Sequence, residues 1–315
     1  MAPSVLVLLV IPLGLLADRL FGEPRRWHPL VGFGRAAQAL ERVLRKGAPG
    51  HPIGNRLRGT LAWVLLVVPL PLLCAVLLAT LSWPAALATH TLLLWFALGG
   101  RSLAEHVQAV VVSLASGNLA AARSNVGLLV SRETGAMGAD EIARATIETT
   151  LENGNDAVFG ALFWAVLFGG PGALAFRLAN TLDAMWGYRD QRRVNFGWCA
   201  ARADDLLGLA PARLTALTYA LLGQGAQAVR CWQAQAPGWS SPNAGPVMAA
   251  GAGALGVSLG GAAIYNGHIE HRPVLGCGPA PAVADVGRAL ALVRRGSLLW
   301  AALALLGAGF GALHA

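Results

Sequence analysis

Residues 59–100 read GTLAWVLLVVPLPLLCAVLLATLSWPAALATHTLLLWFALGG, and between Arg58 and Arg101 there is no Asp, Glu, Lys or Arg. A bilayer core needs about 20 apolar helical residues per pass, so this stretch is long enough for two. The turn falls at Ser82-Trp83-Pro84, where an interfacial Trp and a helix-stopping Pro sit together. Spans are therefore expected at 60–81 and 83–99. The tail gives another at 297–314, and residues 2–17 give a short first one. That first segment lacks the basic start of a secretion signal and is followed by further spans, so it reads as a span. Composition agrees: hydrophobic residues make up 55% of the 315 and charged residues 13%, about half the roughly 25% of a soluble domain.

The loop from Asp18 to Gly59 carries Arg19, Arg25, Arg26, Arg35, Arg42, Arg45, Lys46, Arg56 and Arg58. By the positive-inside rule it stays in the cytoplasm, and so does everything from Gly99 to 296 unless a further crossing intervenes. The run 157–176 is uncharged but broken at Gly169-Gly170-Pro171-Gly172. It reads as a re-entrant pair of half-helices, tolerated only where protein or a wet cavity covers the bend. The stretches 206–223, with Arg213 in its middle, and 246–264, mostly Ala and Gly, are open between surface helix and extra crossing. The expectation is one membrane-embedded, all-α, polytopic domain over 1–315, with cytoplasmic helical loops. A net charge of +8 suits anionic lipid and anionic ligands. The arginines are spread among acids and form no nucleic-acid stripe.

Several patterns carry little. Gly251-Ala252-Gly253-Ala254-Leu255-Gly256 matches a dinucleotide fingerprint only literally, and small-residue helix packing explains it better. There is no Walker A motif, and Lys46 is the only lysine, so arginines and backbone must grip any nucleotide. The four cysteines are scattered without a C-x-x-C pair and read as small buried hydrophobes. His268 and His271 lack a third ligand nearby. His28 is held between Pro24 and Pro29 just inside the first span.

Two clusters are denser. Helices are expected over 101–115 and 119–130, separated by the stop-and-cap sequence Ser116-Gly117-Asn118, and from about Gly138 to Glu152. On the last, Glu148 and Glu152 are four apart, and Asp156 extends the face if the helix continues. Such carboxylates need a cation, either a divalent metal carrying nucleotide phosphates or Arg144 paired to Glu148. The second cluster is Arg177, Asn180, Asp183, Tyr188, Arg189, Asp190, Arg192 and Arg193, followed by Arg202, Asp204 and Asp205. Ionisable groups this close to a membrane are expensive, and guanidinium suits phosphate and carboxylate ligands. Asp204 and Asp205 could hold Mg²⁺, position an amine, cap a helix or answer neighbouring arginines.

The chain resembles the adenosylcobinamide-phosphate synthase family of cobalamin biosynthesis. The matching motifs are Asp18-Arg19-Leu20-Phe21-Gly22-Glu23-Pro24 with His28-Pro29, Ser131-Arg132-Glu133-Thr134, Glu141 to Asp156, Phe163-Trp164 and Gly170-Pro171-Gly172-Ala173. Asn180 to Arg189, Phe196-Gly197-Trp198, Ala201 to Asp205, Pro211 to Thr215 and Ser241 to Gly245 continue the series. Departures are Ala157, Gly160 and the segment Gly267 to Pro273, which weakens any catalytic role for His268 or His271. The resemblance implies an ATP-dependent, Mg²⁺-assisted ligase that joins adenosylcobyric acid to aminopropanol or aminoethanol phosphate. It implies catalytic roles for Asp183, Glu148, Asp204 and Asp205, with Asp183 handling the amine. Glu148, Glu152, Asp156 and Asp205 are the implied Mg²⁺ ligands. His28, Arg132, Asn153, Asn180, Tyr188, Arg189, Arg202 and Asn243 would bind substrate or phosphate. The partners implied are the corrinoid and aminoalcohol phosphate substrates and membrane lipid, without nucleic acid. Gly256-x-x-x-Gly260 and Gly307-x-x-x-Gly311 permit close helix contacts, compatible with a homo-oligomer or with other corrin-pathway enzymes as partners. A transporter or a non-catalytic scaffold are the rival classes.

Overall fold

The computed structural model describes residues 3–24, 28–45, 51–187, 193–265 and 267–314. In chain order its elements are α1 (Pro3–Phe21), α2 (Pro29–Arg45), α3 (Pro52–Val67), α4 (Pro69–Leu78), α5 (Trp83–Ala97), α6 (Gly100–Ala115) and α7 (Leu119–Val126). There follow α8 (Ala139–Gly154), a π-helical turn (Asn155–Phe159), α9 (Gly160–Trp186), α10 (Trp198–Leu222), α11 (Gly225–Gln235) and α12 (Ala244–Leu255). A hairpin of β1 (Ser258–Tyr265) and β2 (His268–Gly276) precedes α13 (Val283–Leu313). The chain is an all-α, polytopic membrane protein, and this hairpin is the one sheet among the described residues.

Among the described residues three helical runs are long and apolar enough to cross a membrane: Pro52–Leu78, Ala139–Trp186 and Val283–Leu313. The first and third are 22% buried over their most apolar windows, whereas the second is 72% buried. The first and third thus show their leucines outward, as lipid-facing helices do, and the second is clothed by protein. Contacts divide the chain into two compact units. One holds residues 1–99, 160–208 and 301–315, and the other holds 100–159 and 209–300.

In the first unit α9 packs against α1 and α5 and bends sharply within the expected broken run. Gly169 sits at φ 64°, ψ −157°, a conformation open essentially to glycine alone. Residues eight apart in a straight helix are about 12 Å apart, yet a Cβ on Gly172 would strike the Trp164 carbonyl oxygen, so the bend is acute. The freed backbone is answered locally: the Gly170 N–H donates to His90 Nδ1 of α5 at 2.8 Å.

In the second unit the predicted cap is present, with Asn118 Oδ1 accepting from the Ala121 N–H at 3.0 Å. The stretch 206–223 forms the body of α10, and its polar side chains face protein. Thr215 donates to Asn155 Oδ1 at 2.9 Å and Tyr219 donates to the Leu151 carbonyl at 3.1 Å. Arg213 donates to Asn243 Oδ1 at 3.0 Å. The stretch 246–264 is not a crossing. α12 ends at Leu255 with Gly256 in the left-handed region at φ 69°, and β1 begins two residues later. Gly251 and Gly253 of the literal fingerprint lie against Leu151 and Ala228, the close packing their size permits.

The hairpin is irregular at one point. Gly260 pairs with Val274 and Gly261 with Arg272, leaving Pro273 as the extra residue of a β-bulge. A bulge is where a strand tolerates proline, which has no N–H for the ladder. Gly260 has φ 79°, and a Cβ there would strike the Pro273 carbonyl oxygen.

Replacing Gly169 by Ala should cost on the order of 1–3 kcal/mol through its backbone conformation, read as a lower melting temperature in detergent. Gly287→Ala on α13, where an added Cβ meets nothing within 4 Å, should leave that temperature unchanged or raise it. Equal losses in both variants would show that the bend is not strained against other residues.

Candidate functional site

Two groups of sequence-predicted residues are assembled, one in each unit. In the first unit, Asn180 and Asp183 lie three apart on α9 and so share a face. The first turns of α10 bring Arg202, Asp204 and Asp205 to them, held by the Trp164 indole, which donates to the Leu207 carbonyl at 3.0 Å. Asn180 Nδ2 donates to Asp204 Oδ1 at 3.2 Å. Burial pushes the Asp204 carboxyl up to about 6; the Asn180 hydrogen bond opposes this and the Asp205 charge adds to it. Asp183 also lies within the field of Asp204 and Asp205. Arg202, an exposed side chain, approaches Asp205 to 4.0 Å. The last turn of α9 is packed tightly: a Cβ on Gly187 would strike Asp183 Oδ1, and Trp186 meets Phe196 edge-on at 5.1 Å. Tyr188 and Arg189 lie outside the described residues. His28 serves as a helix cap, its Nδ1 accepting from the Leu30 N–H at 3.2 Å at the start of α2.

In the second unit Glu148 is buried and carries four hydrogen bonds. Oε2 accepts from Arg132 Nη2 at 2.6 Å and Arg272 Nη1 at 2.8 Å. Oε1 accepts from the Gly260 N–H at 2.7 Å and Arg272 Nη2 at 3.4 Å. The bulge aims that amide, because the unpaired Pro273 opposite it displaces Gly260 from the regular ladder. Burial lowers the Arg272 pKa, but the adjoining Glu148 carboxylate outweighs it and the net shift is upward. The Arg272 guanidinium also lies over the Trp239 ring, 5.5 Å from its centroid.

This arrangement departs from the Arg144 pairing that helical spacing suggested for Glu148. Its oxygens accept from two arginines distant in sequence, and Arg144 instead donates to the Gly260 carbonyl at 3.3 Å. The π-helical turn starting at Asn155 interrupts the 3.6-residue period that would align Asp156 with Glu148 and Glu152. Among the described residues no three His, Cys, Asp or Glu side chains converge to hold a metal. Asn153 donates to Thr149 Oγ1 at 2.8 Å, and the buried Asn243 accepts from Arg213, so both have partners within the unit. Cys231 is buried, its sulfur 3.2 Å from that of the exposed Cys277, so only the former fits the expected buried hydrophobe.

Arg272 and Gly260 were not anticipated as site residues. The signal was the Asn266-Gly267 dipeptide between AAIY and HIEH, a hairpin signature hidden in an Ala/Gly-rich context.

A family model described as CobD/Cbib protein matches residues 11–293. A protein of Chromobacterium violaceum named cobalamin biosynthesis protein CobD is 57% identical over 310 residues, covering 98% of this chain and 99% of its own length. A protein of the same name from Stutzerimonas stutzeri is 53% identical over 93% of this chain and 95% of its own. One from Mycobacterium tuberculosis is 41% identical over 90% of each. No solved structure matches the chain at a significant level. Matched along nearly its whole length, the chain belongs to the CobD/CbiB family of cobalamin biosynthesis proteins.

Proposed function

We propose that the chain forms an amide bond between the free propionate carboxyl of adenosylcobyric acid and the amine of aminopropanol phosphate or aminoethanol phosphate, at the expense of ATP. The observation that carries this reading is the gathering of Asn180, Asp183, Asp204 and Asp205 at the junction of α9 and α10. Partly buried carboxylates in one another's field are costly, and a cation relieves that cost. Mg²⁺ is commonly bound through one or two carboxylates together with substrate phosphates. Asp204 and Asp205 fit that pattern, whereas Glu148, spent on two arginines, does not. Bound there, Mg²⁺ would offset charge on the transferring phosphate.

The chain's own residues would do the rest. Asp183 orients the ammonium group and takes its proton, so that the nitrogen lone pair can attack the activated carboxyl carbon. The new C–N bond forms as the phosphate or nucleotide leaves. Arg202, beside Asp205, and Arg189 would meet ATP phosphates. The basic loops face the cytoplasm, where ATP is supplied.

The first test supplies ATP, Mg²⁺, adenosylcobyric acid and aminopropanol phosphate to the detergent-purified protein and follows the amide by mass spectrometry. Product that requires all four is expected; a tightly bound corrinoid without product would replace the ligase by a scaffold. Alanine at Asp183 should lower turnover by about 10²-fold or more.

Asp204→Asn should separate function from stability. The folded protein holds the Asp204 proton more tightly than an unfolded chain, whose aspartates titrate near 3.8. The stabilisation is therefore complete below about 3.8 and is lost as pH rises through about 6. With EDTA present above pH 6, Asp204→Asn should melt about 2 °C or more above the parent protein, while losing the ligase activity. Mg²⁺ should raise the melting temperature of the parent and not that of the variant.

Glu148→Gln should do the reverse. Leaving Arg132 and Arg272 without their shared carboxylate in a buried cluster costs about 3–5 kcal/mol. A large fall in melting temperature is expected. A Glu148→Gln protein as stable as the parent but inactive would move Glu148 back into the reacting site.

A further inference from the structure

A cavity of about 220 Å³ opens in the second unit between the loop before α8 and the hairpin. Arg132, Arg144 and Arg272 line it with Glu133 and Glu141, and its remaining wall is apolar, including Met137, Ile264 and Ile269. The three arginines are not equivalent. Arg132 and Arg272 share the single carboxylate of Glu148, so one of their two charges is answered. Arg144 forms no ion pair among the described residues, and its one hydrogen bond is to the Gly260 carbonyl. Two carboxylates lie at the rim, where both residues are exposed. Glu133 Oε1 accepts from the Gly267 N–H at 2.6 Å and Glu141 Oε2 from the Gly138 N–H at 2.8 Å. Half-buried guanidinium inside and water-screened carboxylate outside leave an attractive potential for an anion within the cavity.

We propose that this cavity binds the phosphate group of a small phosphate monoester, anchored by Arg144 with Arg132 beside it. Planar guanidinium groups donate paired N–H bonds to phosphate oxygens, and the Met137–Ile264–Ile269 wall receives a short carbon chain. The rim carboxylates repel ligands that carry several negative charges outside the cavity, so a nucleoside triphosphate is disfavoured by charge as well as by volume. The inference stands on the cavity and goes beyond the amide-forming reading, which places ATP phosphates at Arg202 in the other unit.

The test is equilibrium dialysis of the full-length detergent-purified protein with labelled inorganic phosphate and with ethanolamine phosphate, without corrinoid. Saturable binding of both is expected, weakened at least tenfold in Arg144→Gln and partly restored in Arg144→Lys. Ala136→Trp, which fills the cavity from an exposed position and leaves every charge in place, should weaken binding as much. It decides the matter if loss of Arg144 impairs folding. Arg230→Gln, at an exposed arginine outside the cavity, should bind both probes like the parent, and ATP should compete poorly. Absence of saturable binding, or Arg144→Gln and Ala136→Trp proteins that bind like the parent, would overturn the proposal. Ligase activity is scored separately: a protein without it that still loses phosphate on Arg144→Gln retains this site, and an active ligase whose phosphate binding is unchanged in both variants does not have it.

Discussion

The second unit is organised around a carboxylate that has no access to water. Glu148 could not remain ionised there alone, since burying an uncompensated charge costs more than any single packing contact returns. Its partners come from three places: Arg132 from the loop after α7, Arg272 from β2 and the Gly260 amide from β1. Satisfying one buried group therefore fixes the positions of a helix, a loop and a hairpin together. The bulge is part of the same requirement, because a regular ladder would leave the Gly260 amide occupied by the opposite strand. Such a cluster supplies specificity as well as stability: few other arrangements of these segments would give the buried carboxylate its full set of donors.

The first unit solves a different problem. Its central helix α9 is apolar enough to sit in a membrane but bends at Gly169, and the exposed peptide groups of the bend are met by His90 and by close backbone approach. The far end of that helix carries Asn180 and Asp183 to the start of α10. The aspartates remain in one another's field, and Arg202, which reaches Asp205 at 4.0 Å, is exposed to water, unlike the buried arginines that meet Glu148. One buried acid is thus met by two buried arginines, while the aspartate group has its arginine at the water-facing side. The family assignment gives that contrast its biochemical frame.

Much of this was legible in the amino-acid sequence, and what was missed shares a cause. The cap at Asn118 and the break at Gly169 depend on local chemistry and were read correctly, and the uncharged run after Arg58 supplies most of one helix long and apolar enough to cross, Pro52–Leu78. Asn180, Asp183 and Asp204 were singled out by density, and they come together because α9 and α10 are adjacent along the chain. Glu148 was noticed, but its pairing with Arg132 and Arg272 was not. Its partners are 16 and 124 residues away, and helical spacing offered Arg144 as a nearer candidate. The stretch 246–264 stayed open between surface helix and crossing because Ala and Gly composition is silent about period. Helix and strand read alike there, and the left-handed Gly256 that ends α12 is visible only once the backbone is placed.

The bulge at Pro273 also sets where the chain's length can change. Beyond it, toward Gly267, the two strands run to an exposed tip, and adding or removing a matched pair of residues there would leave the side chains below in place. At the bulge itself a single deletion would restore a regular ladder and rotate Arg272 to the opposite face of the strand, away from Glu148. Among related chains, variation in hairpin length should therefore collect at the tip, and the spacing from Gly260 through Arg272 should vary in even steps.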